Sequence, residues 1–337
     1  MYAVLREATQ LTGFLLLEGF ALMSYASAIE PLRAANILAR RKLYEWRHIS
    51  VNGQAATASN GVAVAADGRV GDEGRLDALF VCAGGAPAAF DHGPTLAWLR
   101  SLSQRGVRIG GISGGPYVLA RAGLLNGYRC TIHWEHAPAL AEEFPDLDIR
   151  HTLYEIDRDR LTCAGGIAAL DMMVDQIERD HGAKLGAAVS EWHLRTQVRQ
   201  AGSSQRMTLS ERFGVSSEKV LRALAFMEAN LEEPATVEEL AAAAGSTVRQ
   251  LQRLFVQHLG HTPMRQYLLL RLERSQVLLR QTAMPRTEVA LACGFASPNH
   301  FSRAYKAHFG RSPGEERQPT ARRRARWTDG SEAADEP

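Results

Sequence analysis

The chain has 337 residues, 45% of them hydrophobic and 23% charged, with a formal net charge of +2. This composition is ordinary for a soluble globular protein and the length points to about two domains, while no apolar run approaches the ~18–20 residues that cross a bilayer. Cys82, Cys130, Cys163 and Cys293 show no Cys-x-x-Cys spacing, which argues against a disulfide framework or zinc site and for reduced thiols in a cytosolic protein. The first apolar run, Phe14–Leu17, is followed at once by Glu18. Without a basic flank or a small-residue cleavage site it reads as a first strand rather than a signal peptide.

From there to about residue 195, short apolar runs alternate with helical patterns, the mark of a largely parallel sheet covered by helices on both faces. Strands are expected at Gly13–Leu17, Trp46–Val51, Ala78–Cys82, Arg108–Ile112, Arg129–Ile132 and Leu161–Ala164. Helices are expected at Leu22–Leu38, Pro94–Arg105, Pro116–Ala122 and Ala168–Asp180. Several strands end in glycine, at Gly84-Gly85, Gly114-Gly115 and Gly165-Gly166, and ligands of open α/β sheets bind outside the carboxyl ends of the strands. The run GGISGGPYVLARAGLL, Gly110–Leu125, has the strand, sharp Gly-x-Ser-x-Gly turn and helix in which an enzyme presents a nucleophilic serine, here Ser113.

Residues 199–219 are polar, rich in Gly and Ser, and read as a linker. Beyond them the pattern is purely helical to about Phe309, and residues 318–337, a basic cluster at Arg322–Arg326 and an acidic end, read as a disordered tail. The small net charge hides an asymmetry. Leu231–Trp327 carries 15 Lys and Arg against 8 Asp and Glu, whereas residues 1–230 carry 24 against 25, so it is the back of the chain that suits a polyanion.

That back contains a repeat. Thr236–Gly260 and Pro285–Gly310 each have a short apolar helix, a glycine turn (Gly245, Gly294) and a second amphipathic helix, with the two glycines 49 residues apart. Helix, tight turn and second helix is how a recognition helix is offered to the major groove, and two copies about one DNA turn (~34 Å) apart let one chain read two successive grooves. By position the first recognition helix offers Arg249, Gln252 and Arg253, and the second Asn299, His300, Ser302 and Arg303. Arg pairs with guanine and Asn or Gln with adenine. Lys306 and Arg311 fit phosphate contacts or surface charge, and Leu251, Phe255, Phe301, Tyr305 and Phe309 fall on the opposite, core face. Over Val220–Glu316, and above all in GFASPNHFSRAYKAHFGRSP, the sequence resembles the AraC/XylS family of transcription regulators.

The front, in FLLLEGFALMSYASAIEPLRAAN, VCAGG, GGISGGPYVLARAGLL, CTIHWE and TCAGGIAALDMM, resembles the PfpI-like branch of the class I glutamine amidotransferase-like superfamily. The resemblance implies a flavodoxin-like fold and enzymes that use an elbow cysteine, a histidine and a glutamate. Carried over, these positions are Ser113, His133 and about Leu22; a leucine cannot ionise, and a serine needs both a base and a group that orients it. Asp171 and Glu135 are available acids that no motif places. The expectation is a binding pocket and no catalytic residue, with no cofactor and no metal. Ser113 and the amides of Gly114, Gly115, Gly84 and Gly85 would take an anionic end, and Tyr117 and Phe20 are further candidate ligand contacts. His133, Trp134 and Glu135 would take a cationic end, so a small zwitterion fits. The combination resembles the subgroup of regulators that respond to arginine, betaine or carnitine.

The sequence therefore predicts an α/β flavodoxin-like doubly wound sheet (1–198), a linker (199–219) and an all-α double helix-turn-helix domain (220–317). It would act as a ligand-responsive transcription regulator, most simply an activator, with promoter DNA, an amino-acid or methylated-amine effector and RNA polymerase as partners. A cytoplasmic, nucleoid-associated homodimer is expected. The rival expectation is a PfpI-like hydrolase or amidase with Ser113 as nucleophile, fused to a DNA-binding module.

Overall fold

A computed structural model describes residues 8–316 other than 73, 196 and 198; the expected tail and its Arg322–Arg326 cluster lie outside the described residues. Two units are present, dividing between Gln205 and Arg206. The strands in chain order are β1 Gln10–Leu16, β2 Tyr44–Ser50, β3 Ala56–Thr57, β4 Ala63–Val64, β5 Gly68–Arg69, β6 Ala78–Ala83, β7 Arg108–Ser113, β8 Arg129–Cys130, β9 Asp148–Ile149, β10 Tyr154–Asp157 and β11 Arg160–Cys163. The front helices are α1 Leu22–Ala39, α2 Gly93–Gln104, α3 Gly115–Arg121, α4 Ala137–Glu143, α5 Ala168–His181 and α6 Ala183–Trp192.

One seven-stranded sheet, ordered β10-β11-β7-β6-β1-β2-β5, organises the front unit, parallel except for the antiparallel edge strand β10. Its central strands are buried along their length because helices cover both faces, which is why they read as continuous apolar runs rather than alternations. Phe14, Leu16, Phe80, Cys82, Ile112 and Cys163 join Met172 and Ile177 of α5 in one core. All four cysteines are buried and free.

The sheet departs from expectation at one strand. Only Arg129–Cys130 of the predicted Arg129–Ile132 is extended, and it pairs with β9 outside the main sheet. The cause is local: Thr131 N–H donates to the Thr162 hydroxyl at 3.0 Å, and Thr131 Oγ1 donates to Thr152 O at 2.8 Å, so side chains take the place of a ladder.

The stretch read as a linker is also more ordered than expected. Residues up to Gln205 fold with the front unit. A short helix, α7 Leu209–Phe213, then opens the back unit, its start fixed by a reciprocal cap: Thr208 Oγ1 accepts from Glu211 N–H at 3.3 Å while Glu211 accepts from Thr208 N–H at 2.9 Å. Thr-x-x-Glu is the sequence form of this cap. The remaining helices are α8 Glu218–Ala229, α9 Val237–Ala243, α10 Val248–Leu259, α11 Pro263–Gln281, α12 Arg286–Ala292 and α13 Pro298–Phe309. Helices α9–α10 and α12–α13 are the two expected repeats, joined by the long α11.

Candidate functional sites

The elbow is built by close approach. Strand β7 ends on Ser113 at φ +60°, a left-handed conformation that costs a non-glycine residue ~1–2 kcal/mol. A Cβ on Gly115 would lie 2.0 Å from Val81 O, and one on Gly111 would lie 2.6 Å from Pro116 N, so neither glycine can be replaced without moving backbone. The turn brings Ser113 against Gly165, whose absent Cβ would sit 2.6 Å from the Ser113 Cβ and 2.8 Å from Ser24 Oγ; that hydroxyl accepts from Gly166 N–H at 2.7 Å. Ser113 is 7% exposed. The strand ends of β6, β7 and β11 and the start of α1 therefore converge on this one serine.

His133 meets the elbow through its backbone, N–H to Ser113 O at 3.3 Å. Its ring is committed elsewhere. Glu135 N–H donates to Nδ1 at 3.3 Å, whereas the Glu135 carboxylate at 4.0 Å is out of hydrogen-bond range. A neutral ring that accepts at Nδ1 carries its proton on Nε2, and among the described residues no hydrogen bond links that ring to Ser113 Oγ. Burial, with the neighbouring His136, holds the His133 pKa below the ordinary histidine value, against the opposing pull of Glu135. Asp171 is not an orienting acid. It is 2% exposed and closes ion pairs with Arg195, at 2.5 Å, and with Arg199. The serine thus has strain and shape but no base–acid pair behind it.

Three expected pocket contacts are placed differently. Tyr117 is fully buried and turned toward α4, donating to Glu143 Oε2 at 2.6 Å with its ring edge on Phe144. Phe20 is fully buried, edge-to-face with Tyr25 at 5.7 Å. The Gly114 N–H is taken by Ala83 O at 3.0 Å, so it is not available to an anion. Helical position alone could not tell these inward faces from the pocket. Trp134, 41% exposed with its ring 5.4 Å from that of His133, Glu135 and Gly85 are open to solvent, and Gly84 is partly so.

Sequence reasoning missed the segment after α6. Arg199 pairs with Asp171 in the first turn of α5, Leu153 N–H donates to Ala201 O at 2.9 Å, and Gln205 Nε2 faces Thr131 Oγ1, Ile132 O and Thr152 O at 3.0, 2.9 and 2.8 Å. This segment runs directly into the back unit, and its anchors stand next in sequence to His133 and close to Gly165-Gly166. Nothing in a polar stretch marks such anchoring, because its partners are side chains and backbone groups distant in sequence.

In the back unit, α10 and α13 present the two expected faces. Leu251, Phe255, Phe301 and Tyr305 are buried, while Arg249, Gln252, Arg253, Asn299, His300, Ser302, Arg303 and Lys306 are all exposed. Thr247 and Ser297 cap the two helices, accepting from Gln250 and His300 N–H. Among the described residues Arg249, Arg253, Arg303 and Lys306 form no ion pair, which leaves four cations unneutralised on the exposed helix faces. Other arginines serve the scaffold. Arg271 donates to Cys293 O at 2.7 Å and Gly294 O at 2.6 Å, with its guanidinium 4.1 Å from the Phe295 ring centre. Arg311, expected as a phosphate contact or surface charge, is exposed and joins Arg280 in holding the buried Glu316, each at 2.6 Å. Gly294 packs so tightly on the loop before the first repeat that a Cβ there would lie 2.5 Å from the Pro234 ring.

Comparison with known proteins agrees with this division. Residues 14–179 match the DJ-1/PfpI family and residues 240–319 match a helix-turn-helix domain. The HTH-type transcriptional regulator CdhR of Pseudomonas aeruginosa is 44% identical over 304 residues, covering 90% of each chain. GbdR, an HTH-type transcriptional regulator of the same species, is 42% identical over 309 residues, 92% of this chain and 84% of that one. A THiJ/PfpI family protein from Pseudomonas syringae, 21% identical, covers 71% of this chain and 91% of its own with a TM-score of 0.52, a likeness of fold. Among the described residues no helix is long and apolar enough to cross a membrane.

Proposed function

The chain belongs to the AraC-type helix-turn-helix transcription regulators that carry a DJ-1/PfpI domain in front, and from that premise we propose that the front domain is the sensor of a small zwitterion. The observation that carries the proposal is the Ser113 elbow, held in a left-handed conformation while its histidine has no hydrogen-bonded acid and the buried carboxylate of Asp171 is spent on two arginines. Strain kept at a site without the groups for turnover suits recognition. The ligand's carboxylate is assigned to the Ser113 hydroxyl and to backbone N–H groups of Gly115 and the Gly84-Gly85 turn. Its cationic end is assigned to Trp134 and Glu135, through the ring face and the carboxylate. Arginine, betaines and carnitine have this chemistry.

DNA recognition is assigned to the exposed residues of α10 and α13, and the regulated step to recruitment of RNA polymerase by a cytoplasmic, nucleoid-bound homodimer acting as an activator. A ligand can shift such a regulator only by binding one arrangement of the back domains better than the other. The segment anchored by Arg199 and Gln205 offers the route, since Ile132 is both a Gln205 acceptor and the neighbour of His133.

The test is thermal stability of the full chain with arginine, glycine betaine, carnitine and other amino acids, with Ser113→Ala alongside. A ligand at a hundred times its Kd adds ~2.7 kcal/mol. The expected result is stabilisation by a zwitterion recovered unchanged and weakened in Ser113→Ala. A compound returned chemically altered, or stabilisation indifferent to Ser113, overturns the assignment.

A further inference from the structure

We propose that Val256 is a specificity-determining residue that reads the methyl group of a thymine in the major groove. The proposal rests on the reading that the exposed face of α10 meets base edges, and it adds to that face a residue whose chemistry is not polar.

Val256 is 52% exposed and is the one apolar side chain among the exposed residues of α10. It is not a stray from the core stripe. Leu251 and Phe255, each 0% exposed, carry the packing of this helix. Arg249, Gln252, Arg253 and Val256 stand at i, i+3, i+4 and i+7, within about a 100° arc of the helix circumference. Val256 also lines, with these three and with Gln257 and Thr262, a single surface groove beside the start of α11. The last position on a recognition stripe thus carries two methyl groups where charge or amide would be the ordinary surface choice.

The second repeat shows that the position is a variable one. Superposing Leu251 on Phe301 pairs Arg253 with Arg303 and Val256 with Lys306, and all four of these outward residues are exposed. The two recognition helices therefore keep an arginine and differ one turn later, apolar in one and cationic in the other. Of the four bases only thymine displays a methyl in the major groove, and apolar contact is the means of reading it. A lysine at the same place binds a guanine edge or a phosphate instead. The pair Val256/Lys306 makes the two half-sites unlike, with a thymine required at the end of the one that α10 covers.

The experiment uses the full chain and a duplex selected for tight binding from a random pool. Each thymine is replaced in turn by deoxyuridine, which removes only the methyl. Wild type is expected to lose about threefold to fourfold in affinity, the size of one buried methyl, at one thymine beside the base pairs whose identity Arg253→Ala relaxes. In Val256→Ala and Val256→Lys that penalty disappears. Lys306→Val leaves the penalty in the α10 half-site in place and reduces the slope of log K against log salt by about 1 if Lys306 holds a phosphate. A penalty of unchanged size in Val256→Ala, or no penalty at any thymine of the α10 half-site, overturns the proposal. Base preferences untouched by both Arg249→Ala and Arg253→Ala mark a different failure: α10 then lies outside the groove, and both readings fall.

Discussion

Ser113 and His133 are the residues at which geometry and chemistry part company. A glycine at position 113 would adopt φ +60° freely, so Ser113→Gly is expected to stabilise the chain by about 1 kcal/mol in chemical denaturation, in spite of the hydroxyl it removes. The same variant should lose the ligand-induced stabilisation. His133 gives a pH dependence of defined sign. Its folded-state pKa lies below the ordinary value, so between the two values the unfolded chain binds a proton that the folded chain does not. Stability is therefore full above the unfolded value and is lost as pH falls through that window. His193, lowered by burial and by Arg33, acts in the same direction. Melting curves at descending pH should show a shallower fall in His133→Gln than in wild type, and that difference isolates the one ring from the other.

At the scale of elements, the turn of the second repeat is the most demanding junction in the back domain. Gly294 has φ +72° and its absent Cβ faces the Pro234 ring at 2.5 Å and Glu232 O at 2.8 Å. Gly294→Ala combines a left-handed alanine with overpacking against a rigid ring, and is expected to cost about 3 kcal/mol in unfolding experiments and to impair DNA binding at both half-sites. Gly245, with φ +60° but only the tip of Arg222 nearby at 4.0 Å, should tolerate alanine better. Both turns were legible in the sequence because glycine at fixed spacing between amphipathic helices is a backbone signal. The elbow was legible for the same reason, and the central strands as continuous apolar runs. What was not legible depends on side chains choosing partners across the fold. Tyr117 was expected in the pocket and turns to Glu143, the exposed Arg311 takes a buried partner in Glu316, and Thr131 ends a strand by bonding to Thr162. The cap at Thr208 was readable and was passed over inside a polar stretch.

At the scale of the whole molecule, the front and back units are covalently joined by a short segment whose last seat is Gln205. That seat is imperfect in a way that can be counted. An amide nitrogen has two hydrogens, yet Gln205 Nε2 faces three acceptors, while Gln205 Oε1 is buried without a hydrogen-bond partner. Gln205→Glu, which sets a carboxylate against three oxygens, is expected to release the segment: protection from hydrogen exchange at residues 199–205 falls, and the response of DNA affinity to ligand is lost while ligand stabilisation of the front domain persists. The arithmetic of donors and acceptors also says something about reversibility. A side chain with one acceptor too many and one oxygen unserved is a fastening of low threshold, and under the proposed sensing a metabolite worth only a few kcal/mol would be enough to undo it.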